Sequence, residues 1–408
     1  MRLVDGPSFS FAAPGRILFG AGRAAELPGI TRGLGARPLV LTGSDPARHA
    51  DLISQVGAVA VVRVAGEPSV GQIRDAVAAA RACGADVVVG LGGGAVLDAA
   101  KAVAVLVASG TDPLDHLEVV GRGVPLPEAA LPWVAVPTTA GTGSEMTQNA
   151  VLTSPDHGLK VSLRGPSMLA RVALVDPLLT VGCPPGVTAS SGLDALTQCL
   201  EAFVTPFANP LTDGFCREGL ARAGRSLRRA FVDGSDVAAR TDLAMCAALS
   251  GLALANAKLG AVHGFAGVLG GLLGAPHGAV CAALLPATTR VNVRALGERA
   301  PGHPALERYA EAAGLVTGEA RVESLVTWLD ETNRLLGVPG LSAAGLTDDR
   351  VTQVCAQART ASSMKGNPIE LTPAELAEIV AGAFDGSERA TPSEIGRASC
   401  RERVFSSV

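Results

Sequence analysis

From the N-terminus to about residue 180, short β-branched runs alternate with alanine-rich stretches of helical period. No other feature constrains the fold as much. Residues 39–42 read as a strand, followed by a helix to about Val56. A second strand at 61–64 leads into a helix over 70–83, and a third at 86–90 into a helix over about 95–108. Further strands are expected at 133–136 and 172–175. Strands that are apolar along their whole length are covered on both faces. Strand–helix alternation of this kind builds a parallel sheet flanked by helices. After about Cys183 the helical period takes over and holds to about Phe384. The expected architecture is an α/β domain with a parallel sheet, residues 1–182, followed by an all-α domain, residues 183–386. A cleft between the two is the natural ligand site.

Residues 261–289 carry no formal charge apart from any on His263 and His277. That length could cross a bilayer. Its glycines and prolines favour two buried helices broken near Gly274-Ala275-Pro276, so no membrane partner is expected. Apolar residues make up 48% of the chain but aromatics only 3%, so the cores must be built from Ala, Val and Leu. A net charge of −4 argues against a nucleic-acid partner. The opening segment has an acid at Asp5 and no apolar stretch, unlike a secretory signal. The eight cysteines form no C-x-x-C pair, and most sit in apolar runs as small buried thiols do. A reducing cytoplasm fits that usage. At about Ser393 the character changes again. The ending SEIGRASCRERVFSSV is basic and resembles a sequencing adapter translated in frame. Residues 387–408 are therefore set apart as a tail, and 394–408, with Cys400, as a non-native segment.

Two loops carry donors for a phosphate-bearing ligand. The segment GLGGGAVLDAAK, Gly90 to Lys101, joins the third strand to its helix. Consecutive glycines let backbone approach a phosphate, and a helix N-terminus supplies free N–H groups. The segment lacks both G-x-G-x-x-G and the G-K-[ST] of a P-loop, so a plain tight turn remains the alternative. Asp98 and Lys101 are three apart and read as a surface pair. The second loop, PTTAGTGSE from Pro137 to Glu145, places hydroxyls and glycines straight after a strand. Open α/β sheets bind ligands at such carboxyl ends.

A third constellation has the chemistry of a metal site. Asp194 and Gln198 are i, i+4 and share one helix face. A charged Asp in an apolar run needs a partner, and His263 and His277 lie in an otherwise apolar region. One carboxylate and two imidazoles suit iron(II) or zinc. As isolated residues, the two histidines read more readily as satisfied core groups than as ligands.

Taken together, the blocks GGGAVLDAAK, PTTAGTGSE, GLDALTQCLEAF, NPLTDGF and HGFAGVLGGLLGAPHGAVCAALLP resemble the iron-containing (group III) alcohol dehydrogenase family. They fall in order over about residues 10–386. The resemblance implies the dehydroquinate synthase-like plan: an N-terminal dinucleotide-binding α/β domain, then an all-α metal-binding domain. It implies a nicotinamide cofactor, NAD(P), at Gly92, Gly93, Gly94, Asp98, Thr138, Thr139, Thr142 and Lys160. It also implies Fe(II) or Zn(II) at Asp194, Gln198, His263 and His277. The expected reaction is metal-dependent hydride transfer between a small alcohol and its aldehyde or ketone, in a homodimer or larger homo-oligomer. The alternatives are a metal-independent reductase of the maleylacetate type and an inactive cofactor-binding protein. A phosphate-eliminating synthase of the same plan ranks lower, because no basic cluster accompanies Asp194.

Three positions depart from the family pattern. Gln198 stands where histidine is usual. Gly267 stands where a histidine often follows His263 by four residues, which leaves proton delivery unassigned. Thr42-Gly43-Ser44 replaces the acid that holds a ribose 2′-hydroxyl in many NAD-preferring members. With Asp45 and Arg48 beyond it, that replacement suggests NADPH or dual use.

Overall fold

The computed structural model describes residues 8–157 and 159–386. The tail at 387–408, including 394–408, lies outside the described residues. Six strands form one parallel sheet: β1 (Ile17–Phe19), β2 (Pro38–Thr42), β3 (Ala60–Arg63), β4 (Val87–Gly92), β5 (Trp133–Pro137) and β8 (Val172–Val175), in the order β1-β8-β5-β4-β2-β3. Between β5 and β8 a hairpin of β6 (Asn149–Ser154) and β7 (Leu159–Arg164) stands apart as an antiparallel pair.

The period-2 geometry of the strands sorts their side chains into two cores. Leu39, Leu41, Val88 and Ala135 face one way, into the core shared with α3 (Val70–Ala82) and α4 (Gly94–Ser109). Val40, Val89, Val134 and Leu174 face the other way, against residues of α1 (Leu27–Arg32) and α2 (Ala50–Val56). Every residue of β2, β4 and β5 is buried. Their uninterrupted apolarity therefore follows from having helices on both faces. The chain runs outward from β2 to β3, then crosses back to β4 and on toward β5. The strand order thus reverses between β2 and β4, where open sheets leave a crevice at the carboxyl ends.

Beyond a short α5 (Pro113–His116), the remaining helices are α6 (Pro185–Val204), α7 (Pro210–Val232), α8 (Val237–Asn256), α9 (Ala261–Leu273), α10 (His277–Arg299), α11 (Pro304–Thr317), α12 (Val322–Leu336), α13 (Asp348–Thr360) and α14 (Pro373–Gly382). They surround one core rich in Leu, Ala and Val. Helix α6 is its axis and is buried without a break from Gly192 to Val204. The uncharged run at 261–289 divides at Gly274-Ala275-Pro276 into α9 and α10, as its glycines and prolines predict. Helix α8 is long and apolar enough to cross a membrane, but it packs against α6 and α7.

The expected strands and helices appear within one or two residues at most ends. Strand β1 and the β6–β7 hairpin were not expected. Strand β1 is only three residues long. The hairpin is half-exposed and alternates small, polar and apolar residues over a few positions.

Candidate active site

The sheet side of the site is made of backbone. Strand β4 ends at Gly92, and no side chain caps the α4 N-terminus that follows it. The N–H of Thr138 donates to Gly92 O at 3.0 Å and ties the two loops together. Gly94 lies so close to Thr142 that a Cβ there would stand 2.7 Å from its Oγ1. Thr138, Thr139 and Thr142 are half-buried beside these glycines.

Asp98 and Lys101 brace this loop from beneath: the expected i, i+3 pair forms, with Lys101 Nζ 3.5 Å from Asp98 Oδ1, but it is buried rather than on the surface. Lys101 is fully buried. Its Nζ donates to Ser144 Oγ and Thr147 Oγ1, both at 2.7 Å, and to Asn149 O at 2.8 Å. Asp98 Oδ1 accepts from Ser144 Oγ at 2.5 Å, and Oδ2 accepts from Val151 N at 2.9 Å. Helix spacing accounts for their contact with each other; burial adds the shorter bonds that tie both to the second loop. Desolvation pushes the Lys101 ammonium below its usual range. Burial also raises neighbouring Glu145 to about 7. Lys160, on β7, donates to Glu67 at 2.6 Å and rests against Gly270 of α9. Arg48 donates to Gly182 O at 2.6 Å, so its guanidinium holds the connection toward α6.

The helical side of the site is made of side chains. Asp194 on α6, His263 on α9, and His277 and Cys281 on α10 place one ligand atom each within 4.8 Å of all the others. Asp194 Oδ1 stands 3.5 Å from His263 Nε2 and 3.9 Å from His277 Nε2. Cys281 Sγ stands 3.8 Å and 3.7 Å from the same two nitrogens. Asp194 Oδ1 is buried and has no hydrogen-bond partner. Such an atom is costly unless something else faces it. A carboxylate, two imidazoles and a thiol are the donor set of a divalent first-row cation.

The surroundings orient these donors. His263 Nδ1–H donates to Glu201 Oε2 at 2.7 Å, which leaves Nε2 with its lone pair toward Asp194. Glu201 is in turn held by Val262 N at 2.7 Å. A carboxylate behind an imidazole is the usual support of a metal-binding histidine. Gln198 Nε2 donates to Asp194 Oδ2 at 3.2 Å, and its Oε1 accepts from Ser250 Oγ at 2.8 Å. Burial works against the Asp194 carboxylate, but the neighbouring imidazoles of His263 and His277 hold its pKa below the usual range. Interaction with neighbouring Cys281 and Asp194 raises His277 to about 9, against the effect of burial. His263 is also raised, despite desolvation that opposes it.

The two sides meet through α6. A Cβ on Gly141 would lie 2.6 Å from Ser191, which is three residues before Asp194. At 1.5 Å per residue, that puts the metal-type cluster about 5 Å along the helix from the second loop. Cys183 Sγ also donates to Thr138 O at 3.1 Å. Gly143 has a left-handed φ of +59°, and a Cβ on it would meet Gly251 Cα of α8 at 2.5 Å.

Sequence reasoning missed Cys281 and Glu201. The signal for Cys281 was its i+4 spacing from His277, the same spacing that paired Asp194 with Gln198.

This arrangement of a sheet-end glycine crevice beside a buried cluster of metal donors has relatives. Residues 14–177 match the model for iron-containing alcohol dehydrogenase, and residues 188–384 match that for the Fe-containing alcohol dehydrogenase family, C-terminal. Alcohol dehydrogenase 4 of Saccharomyces cerevisiae is 34% identical over 302 residues, 74% of this chain and 76% of its own. The crystal structure of a 1,3-propanediol oxidoreductase superposes with a TM-score of 0.81 at 30% identity, covering 93% of this chain and all of that one. A sulfoacetaldehyde reductase from Bifidobacterium kashiwanohense, solved with NAD+, gives a TM-score of 0.82 at 26% identity, over 93% of this chain and 99% of that one. The chain belongs to the iron-containing alcohol dehydrogenase family. It is an NAD(P)-dependent oxidoreductase that interconverts alcohols and their carbonyl counterparts.

Proposed function

We propose that hydride passes between nicotinamide C4 and the carbonyl carbon of a small aldehyde or ketone in the cleft between residues 1–182 and 183–386. The pyrophosphate lies against the α4 N-terminus at Gly92, Gly93 and Gly94, where the backbone offers N–H groups and a positive dipole end. Thr138, Thr139, Thr142 and Lys160 line the cofactor path, and Asp98 keeps the second loop in place through Ser144 and Val151. Asp194, His263 and His277 hold the metal, while Gln198 hydrogen-bonds Asp194 from the next turn. Lewis-acid polarisation of the substrate oxygen is the chemistry that bound Fe(II) or Zn(II) supplies. The two loops and α6 fix the distance between donor and acceptor carbons and keep bulk water away. Gly267 has no side chain to pass a proton, so the proton on the product hydroxyl is assigned to water.

The observation that carries this reading is the buried, unpartnered Asp194 Oδ1 facing two imidazole nitrogens. Thr42-Gly43-Ser44 offers no carboxylate to a ribose 2′-hydroxyl, which supports use of both NADH and NADPH. The seven described cysteines are all free, in keeping with a cytoplasmic enzyme. A homodimer completes the proposal, with exposed Phe9, Phe207 and Leu211 as candidate contacts.

The test is metal analysis of anaerobically purified protein, with NADH and NADPH oxidation assayed against small aldehydes. About one metal per chain and metal-dependent turnover are expected. Robust aldehyde reduction by metal-free protein would instead assign a metal-independent reductase of the maleylacetate type.

A further inference from the structure

The family pattern puts the fourth metal ligand at position 198, but the surroundings of Gln198 occupy both ends of its amide. Oε1 accepts from Ser250 Oγ, and the NH2 group points at Asp194 Oδ2. A hydrogen-bond donor pointing at the carboxylate steadies Asp194 but offers a cation no lone pair. Cys281 stands in the opposite situation. It is buried, and its sulfur lies 3.7 and 3.8 Å from the two imidazole Nε2 atoms that face the unpartnered Asp194 oxygen.

Tetrahedral geometry can be checked directly. With metal–nitrogen distances of about 2.0–2.1 Å and metal–sulfur of about 2.3 Å, neighbouring ligand atoms stand about 3.4 Å apart for nitrogen and oxygen, and about 3.6 Å for nitrogen and sulfur. Four of the six edges, 3.5 and 3.9 Å to the carboxylate and 3.8 and 3.7 Å to the sulfur, lie within about half an ångström of those values, and the other two are no longer than 4.8 Å. The cluster is thus close to the spacing of a four-coordinate shell.

We propose that Cys281 Sγ, rather than the Gln198 amide, is the fourth protein ligand, so that this site takes its cation as Asp-His-His-Cys. The inference rests on the metal reading given above. Binding breaks the S–H bond, the proton leaves to solvent, and the sulfur lone pair forms the metal bond with no change in oxidation state. A thiolate shifts the site's preference toward zinc and cobalt(II), away from hard, oxygen-seeking cations. With four protein donors held this way, a bound zinc would still have the capacity to accept a substrate oxygen, since catalytic zinc sites can expand their coordination. Gln198 becomes a positioning residue for Asp194.

The test is anaerobic loading of the metal-free full chain with Co(II), followed by metal analysis and absorption spectroscopy. Wild type should bind one cobalt per chain and show a near-ultraviolet sulfur-to-cobalt charge-transfer band. Cys281→Ser should lose the band and bind cobalt at least 10-fold more weakly, whereas Gln198→Ala should keep the band. X-ray absorption of the wild-type zinc form should show one sulfur scatterer at about 2.3 Å, a readout that does not depend on any variant folding. Stoichiometric cobalt without the band, an unchanged band in Cys281→Ser, or a zinc shell without sulfur would each overturn the assignment and leave the metal reading intact. Failure of wild type to bind zinc or cobalt at all would overturn the metal reading and this inference with it.

Discussion

The two walls of the cleft are built by different means. The sheet wall is backbone: Gly92, Gly93 and Gly94 at an uncapped helix start, tied to the Thr138 loop by a peptide hydrogen bond. The helical wall is side chain: a carboxylate, two imidazoles and a thiol brought together from three helices. A backbone site tolerates change at many neighbouring positions but almost none at its glycines. A side-chain site fails when one donor is removed, because the others remain buried and uncompensated. The two walls should therefore break separately, except along the seam where they touch.

The largest effect is expected from Asp194→Ala. It removes the one ligand whose oxygen both histidines face. Loss of the Lewis acid should cost on the order of 10³-fold or more in kcat/KM, while NADH affinity, read by cofactor fluorescence, stays within about 3-fold. A large loss of NADH binding would show that the walls are one coupled unit. Next comes the seam. Gly143→Ala adds a Cβ 2.5 Å from Gly251 Cα and 2.6 Å from Ala247 O, at a positive φ. Left-handed backbone costs roughly 1–2 kcal/mol and overpacking about 1–3 kcal/mol, so a loss of about 2–5 kcal/mol is expected. Chemical denaturation measures it. Gly143→Ala should impair cofactor and metal binding together, and loss of only one would place the seam elsewhere.

How far each wall could be read from the sequence follows the same division. Glycines demanded by backbone approach are local, and GLGGGA after an apolar run marks its own position on a strand end. The strands declared themselves because burial on both faces leaves an unbroken apolar run. Asp194, His263 and His277 were visible as polar residues in apolar company, but their convergence is tertiary and came only through a family pattern. That pattern is silent about Cys281, which looked like one more small buried thiol until α10 placed it one turn beyond His277. Lys101 was misread for a related reason. Its spacing from Asp98 is local information, whereas its burial comes from Ser144, Thr147 and Asn149, more than forty residues away. The β6–β7 hairpin, and with it the surroundings of Lys160, lay in short half-exposed strands without a strong period.

A gentler break tests the support of the helical wall alone. Glu201→Gln keeps the shape but weakens the charge-assisted hydrogen bond to His263 Nδ1. Partners of this kind are typically worth 10–100-fold in metal affinity. A chelator competition should show a loss in that range, with NADH affinity unchanged. An affinity unchanged by the substitution would mean that His263 is oriented by packing alone.

The smallest effect belongs to the sheet wall and appears as a pH dependence. Glu145 sits buried in the second loop, and burial raises its pKa from 4.5 to about 7. Between those values the folded protein holds a proton that the unfolded chain has released. Folding is therefore favoured by acid over this range, and stability falls as pH rises from about 4.5 to about 7, with the loss complete above it. The difference between pH 5 and pH 8 is about 2 kcal/mol, and Lys101 opposes it by favouring the carboxylate. Glu145→Gln removes the titration while keeping the shape. The variant should gain stability relative to wild type at pH 8 and lose that gain at pH 5, measured by thermal unfolding of the metal-free protein across the range. Equal shifts at both pH values would mean that Glu145 does not titrate there. The loop would then be held by a carboxylate that stays charged beside Lys101, and the sheet wall would depend on a buried ion pair as well as on its glycines.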